Sequence, residues 1–158
     1  MITMEEIQKI KRNYIEPVTE KHADMVTKAE MERFNTSSLL AEKLGEIVDD
    51  YFYDYKQTCN GDKPLKYPTL SKMFLLNEST VKAYINGRSV ITRETLYKFV
   101  VGMHLSLNQA NELFSLCGGE LRSTNLEDYI CIKSLEDKDS IESFVNQINK
   151  YSEVVHYK

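Results

Sequence analysis

Between Tyr67 and Leu113 two short apolar segments meet at Leu75-Leu76-Asn77, followed by Asn86-Gly87-Arg88 and then Thr92-Arg93-Glu94-Thr95-Leu96. This order predicts a helix-turn-helix with a supporting further helix. In such a unit the first helix braces the second, and the second presents its outer face to a partner. Pro68 suits the first turn of a helix from about Pro68 to Leu75, with Leu70, Met73 and Phe74 inward. Asn77 is a good N-cap for a helix from Glu78 to Ile85, in which Val81, Tyr84 and Ile85 face in. Ser79, Thr80, Lys82 and Ala83 then face outward or sideways, and small polar residues there suit a groove. Gly87 supplies the left-handed residue that ends this helix.

The rest of the chain repeats helical signals, and strand alternation is not seen. Thr3 with Glu6 reads as a capping box ahead of Ile7, Ile10 and Tyr14. Pro17 breaks that helix and opens a second one, whose narrow apolar face is Val18, His22, Met25, Val26 and Ala29. After Asn35-Thr36-Ser37-Ser38 comes the strongest stripe, Leu40, Leu44, Ile47, Val48, Tyr51, Phe52 and Tyr55, which predicts a core helix in whose aromatic cluster Tyr53 alone is exposed. Lys56 to Pro68 is predicted to be a long loop. Thr92 caps a helix bearing Leu96, Phe99, Val100 and Met103, and Ser106 with Gln109 caps one that stops at Gly118-Gly119. Thr124 with Glu127, and Asp139 with Glu142, are predicted to open two more, the last carrying Ile141, Phe144, Val145, Ile148 and Tyr151. The fold class expected is all-α.

Charge is distributed unevenly around the net value of −4. Residues 1–55 carry 7 basic and 12 acidic side chains, residues 56–98 carry 8 and 3, and residues 99–158 carry 5 and 9. The basic block coincides with the predicted helix-turn-helix, which is the footprint phosphate binding requires. Lys56, Lys63 and Lys66 can equally serve to solubilise a loop. Cys59, Cys117 and Cys131 are odd in number and widely spaced, fitting neither a disulfide framework nor a thiolate metal site; reduced thiols in a cytoplasm are expected. No basic and apolar leader opens the chain, and no apolar run approaches the roughly 20 residues needed to span a bilayer. A soluble, cytoplasmic protein is expected. His22, His104 and His156 lie far apart, so no metal is expected, and no catalytic or phosphate-loop motif points to an enzyme or a cofactor. The aromatic cluster around Tyr51 and Phe52 reads as core more readily than as a base-stacking platform.

The register Leu70-Ser71, Asn77, Ser79-Thr80-Val81, Asn86-Gly87-Arg88 and Thr92 to Lys98 resembles the Cro/cI-like (Xre) helix-turn-helix family, the lambda-repressor-like DNA-binding fold. The tail from Leu105 through Cys117-Gly118 to Tyr151 is similar to an extension that follows this fold in many chains of Gram-positive bacteria and their phages. Coverage runs from about Leu39 to Tyr151. The expected organisation is an N-terminal amphipathic helical arm (1–36), a helix-turn-helix domain (37–118) and a C-terminal helical extension (119–158). The resemblance implies phosphate and base contacts at Tyr67, Ser79, Lys82, Ala83 and Arg88. Three positions depart from the family pattern: Leu75 stands where the turn usually has glycine, Tyr67 where glutamine is usual, and Glu78 places an anion at the start of the second helix.

Two functions are compatible with these residues. One is a sequence-specific transcriptional regulator that binds double-stranded DNA as a homodimer, Lys82 and Ser79 reading base edges while Lys72, Arg88 and Arg93 hold phosphates. The other is a non-enzymatic adaptor or inhibitor, of phage or mobile-element type, that grips a protein partner with the same scaffold and an acidic surface. Pairing of two subunits is expected through the arm or the C-terminal helices, packing of the arm on its own domain being the alternative.

Overall fold

The computed structural model describes residues 1–12, 38–53 and 66–158. The second helix of the arm with Val18 to Ala29, the ends of two stripes at Tyr14 and Tyr55, Cys59 and most of the loop from Lys56 to Pro68 lie outside the described residues. Among the described residues every regular element is a helix: α1 (Met4–Arg12), α2 (38–53), α3 (Lys66–Phe74), α4 (Glu78–Ile85), α5 (Arg93–Gly102), α6 (Leu107–Phe114), α7 (Leu126–Asp137) and α8 (Ile141–Tyr151). None of them is long and apolar enough to cross a membrane.

α5 is the hub. Leu96, Tyr97, Phe99, Val100 and Val101 are all buried, so the helix is apolar nearly all round and other helices cover it on several sides. α3, α6, α7 and α8 all pack on it. Phe74 of α3 meets Phe99 with ring centroids 4.4 Å apart, and Tyr97 meets Phe114 of α6 at 5.4 Å and Phe144 of α8 at 6.2 Å. α3 comes so close that a Cβ on Gly102 would lie 2.3 Å from the Met73 carbonyl oxygen. Only a residue without a side chain permits that approach.

One apolar core runs from Ile2, Ile7 and Ile10 of the N-terminus through Leu40, Leu44 and Val48 of α2 to Ile148 and Val155 near the C-terminus. It passes without interruption across residue 118. α1 packs on α7; the Met1 ammonium lies 2.9 Å from Asp137 Oδ2, and the Ile2 amide donates to Gln147 Oε1 at 3.3 Å.

The helix starts follow local chemistry. Thr3 Oγ1 accepts from the Glu6 amide, Asn77 caps α4, Thr92 caps α5, and Ser106 with Gln109 forms a reciprocal capping box on α6. α3 is already helical at Lys66, the first residue described after the loop, ahead of the expected start at Pro68. Two expected caps are corrected by one residue. Asn125, not Thr124, caps α7 by accepting from the Asp128 amide, and Ser140, not Asp139, caps α8 by accepting from the Ser143 amide. The acids involved are used elsewhere: Glu127 is buried and accepts from the Ser152 hydroxyl, while Asp139 accepts from Gln147 Nε2 and Ser134. Tyr53 is 64% exposed, and Tyr51 and Phe52 are half-buried and touch edge to face.

Candidate functional site

α3 and α4 are joined by the three residues Leu75, Leu76 and Asn77. Leu75 has φ +49°, the left-handed conformation that costs a non-glycine residue about 1–2 kcal/mol. Several bonds hold the turn in that form. The Leu76 amide donates to the Ser71 carbonyl at 3.1 Å, the Ser71 hydroxyl donates to the Leu76 carbonyl, and Lys98 Nζ donates to the Leu75 carbonyl at 3.1 Å.

Beyond the turn, Asn77 Oδ1 accepts both the Ser79 amide at 2.9 Å and the Ser79 hydroxyl at 2.7 Å. The Ser79 hydroxyl proton is thus directed to Asn77, and its oxygen keeps the capacity to accept. Tyr67, Ser71, Asn77, Glu78, Ser79 and Lys82 line an open cleft of about 630 Å³ along α3 and the start of α4. Two ammonium groups attend the Tyr67 ring: Lys82 Nζ at 5.4 Å from its centroid and Lys66 Nζ at 5.6 Å. Both lie within cation–π range. Lys66 is also 3.2 Å from Asp49 Oδ1, whereas Lys82 forms no ion pair with any described residue.

Of the residues singled out in the sequence, Tyr67, Ser79 and Lys82 come together in this cleft. Ala83 is half-buried on α4, and Lys72 and Arg88 are exposed without a charged partner among the described residues. The Arg88 amide donates to the Ala83 carbonyl at 2.9 Å, fixing the chain as it leaves α4, and Gly87 takes φ +73° there. Glu78 is exposed at the first position of α4, where the helix dipole favours an anion and a bound phosphate would be repelled.

The phosphate role expected of Arg93 is corrected. All five of its guanidinium N–H groups are engaged within the protein: Nε with Asp128 Oδ1 at 3.2 Å, Nη1 with the Cys117 and Gly119 carbonyls at 2.7 Å each, and Nη2 with Asp128 Oδ2 at 2.8 Å and the Glu120 carbonyl at 3.3 Å. Its Cζ lies 4.7 Å from the centroid of Phe114. No donor is left for an external oxygen. Asp128, buried, also accepts from the Tyr97 hydroxyl and the Arg122 amide. Burial first, and then the charge of Asp128, push Tyr97 far above the ordinary tyrosine range.

Sequence reasoning named Lys66 only with Lys56 and Lys63 as part of the basic block, not as a neighbour of Tyr67, and gave no role to Tyr97, Lys98 or Asp128. Lys66 could have been found from its place one residue before Tyr67. The bonds of Asp128 to Arg93 and Tyr97 and of Lys98 to Leu75 carry no local signal, since they join residues 23 to 35 apart. His104 and His156 are exposed, and no group of three metal-capable side chains gathers among the described residues. No protein-family model, curated protein or solved structure matches the chain.

Proposed function

We propose that this protein is a sequence-specific DNA-binding regulator of the Cro/cI-like, lambda-repressor-like kind, with α3, the turn and α4 as its helix-turn-helix and α4 docked in a major groove. In this reading Lys82 donates to base edges and the Ser79 oxygen accepts from them. Lys72 and Arg88 hold phosphates on either side, and the Tyr67 hydroxyl reaches the backbone at the start of α3. The observation that carries it is the set of exposed cations on and beside α4: Lys72, Lys82 and Arg88 have no ion-pair partner among the described residues, while Arg93 is wholly consumed inside. Two copies on a two-fold site would give the affinity that one short helix lacks.

A second reading keeps the scaffold and changes the partner. Glu78 at the head of α4, and the exposed apolar side chains Leu75 and Val90 on either side of that helix in sequence, favour a protein surface as the target of a non-enzymatic adaptor or inhibitor.

Selection from random duplexes at two salt concentrations tests the choice, with Lys82→Ala and Arg88→Ala alongside. A regulator enriches a palindromic site. Lys82→Ala then relaxes base preference, and Arg88→Ala weakens all duplexes alike, lowering the salt slope by about 0.9 for each phosphate no longer neutralised. Absence of any enriched site refutes the regulator and directs the search to protein partners.

A further inference from the structure

Lys98 is the lysine that the functional reading leaves unused. It sits on the hub helix α5 with 5% of its surface exposed, an unusual place for an ammonium. No carboxylate among the described residues lies within ion-pair distance of it. Its Nζ donates to the Leu75 carbonyl at 3.1 Å and stands 4.4 Å from the centroid of the Tyr157 ring. Burial lowers its proton affinity. An apolar residue would fill this position at no desolvation cost, so what the ammonium contributes is its hydrogen bond to the turn together with its contact with the Tyr157 ring.

That bond ends on a particular atom. Leu75 is the left-handed residue of the α3–α4 turn, adopting without glycine's freedom a conformation that crowds Cβ against the following carbonyl oxygen. A turn of this kind persists when its surroundings over-determine it. Lys98 supplies the constraint from α5, and the tail supplies the constraint on Lys98. The Tyr157 hydroxyl donates to the Glu94 carbonyl at 2.6 Å, while its own amide and carbonyl are clamped by the Asn149 side chain of α8 at 2.7 and 3.1 Å. A continuous series of contacts therefore runs from α8 through Tyr157 and Lys98 to the turn that sets the direction of α4.

We propose that Lys98, seated under Tyr157 of the C-terminal tail, is a positioning residue that fixes the angle at which α4 leaves α3, so that presentation of the α4 face depends on the end of the chain. The consequence for DNA rests on the regulator reading; the geometry of the turn does not.

Two measurements on the full chain test this, made on Lys98→Met, which keeps the apolar stem and loses the donor, and on Tyr157→Leu, which removes the ring and hydroxyl should the first variant fold poorly. The first is amide hydrogen exchange. Exchange at the hydrogen-bonded amides of Leu76 and Ser79 should accelerate by on the order of tenfold or more, the scale of losing one hydrogen bond from a charged donor, while amides in α8 change less. The second is affinity for the selected duplex against salt. Affinity should fall with the log–log slope unchanged, because a positioning residue releases no counterions, whereas removing a group that neutralises a phosphate lowers the slope. Uniform acceleration across all helices, or none at the turn, overturns the proposal and leaves Lys98 as a packing residue. A lowered slope overturns it in favour of a direct bond to phosphate. Selective acceleration at the turn in a protein whose parent binds no duplex supports the strut and refutes the regulator.

Discussion

Replacing Arg93 with Met should unfold this protein more readily while leaving any charge-dependent binding untouched. The side chain joins the start of α5 to α7 and to the 117–120 segment, and its carboxylate partner Asp128 is 3% exposed. Removing one member of a buried ion pair costs about 3–5 kcal/mol, because the other charge stays behind in a poor medium. Two features place this case at the lower end. The Arg93 side chain is 26% exposed, so water enters part of the space, and Asp128 keeps the Tyr97 hydroxyl and the Arg122 amide as donors. Three carbonyls also lose a donor, at about 0.5–1.5 kcal/mol each before solvent replaces it in that half-exposed loop. The expected loss is about 3 kcal/mol, a large part of the 5–15 kcal/mol that holds a domain together. The chain contains no tryptophan, so urea unfolding should be followed by circular dichroism at helical wavelengths. Asp128→Asn and the double variant complete the cycle, and the double should be less destabilised than the sum of the singles by about 1.5 kcal/mol or more. A loss below about 1 kcal/mol with no coupling would refute the buried-fork argument. A variant of unchanged stability whose duplex affinity falls with a lower salt slope would return Arg93 to the phosphate-binding set.

Gly102→Ala should destabilise by about 1–3 kcal/mol despite alanine's better helix propensity, since its Cβ would enter the Met73 carbonyl and the Phe74 ring; equal or greater stability in the same unfolding assay would show that α3 can move aside freely. Stability should also fall above pH 10. Tyr97 and Tyr157 are both pushed up, burial being the largest cause in each, so the folded state keeps protons that the unfolded state gives up at the ordinary tyrosine value. Their contribution is fully present below about pH 10 and is lost as pH rises beyond it, at about 1.4 kcal/mol per pH unit for each tyrosine. Lys98 acts in the opposite sense below its ordinary value of 10.5, where deprotonation relieves its burial; Tyr157→Phe removes one of the two retained tyrosine protons and should therefore flatten the alkaline decline. A decline of equal slope in that variant would show that Tyr157 holds no such proton.

What could be read from the chain alone was what depends on neighbours within about one helical turn. Asn77, Thr92 and Ser106 cap their helices as their positions suggest, because a cap needs only a side-chain oxygen and an amide two or three residues on. The stripes of α2, α4 and α8 bury Leu40, Leu44, Val48, Val81, Ile141, Phe144 and Ile148, as helical periodicity requires. The caps at Thr124 and Asp139 were misplaced by one residue for a reason that periodicity does not contain: each has a competing capper beside it, Glu127 bonds instead to Ser152, and Asp139 itself bonds to Gln147 and Ser134. The candidate site divides along the same line. Tyr67, Ser79 and Lys82 share a cleft because one short turn sets α3 against α4, and that was legible. Arg93 and Lys98 look like Lys72 and Lys82 in a basic block of sequence, and only the packing of other elements on α5 separates them. α7 brings a buried carboxylate to one cation, and the α3–α4 turn brings the carbonyl of a left-handed leucine to the other. A charge is assigned its work by what the fold brings within about 3 Å of it, and those partners come from tens of residues away.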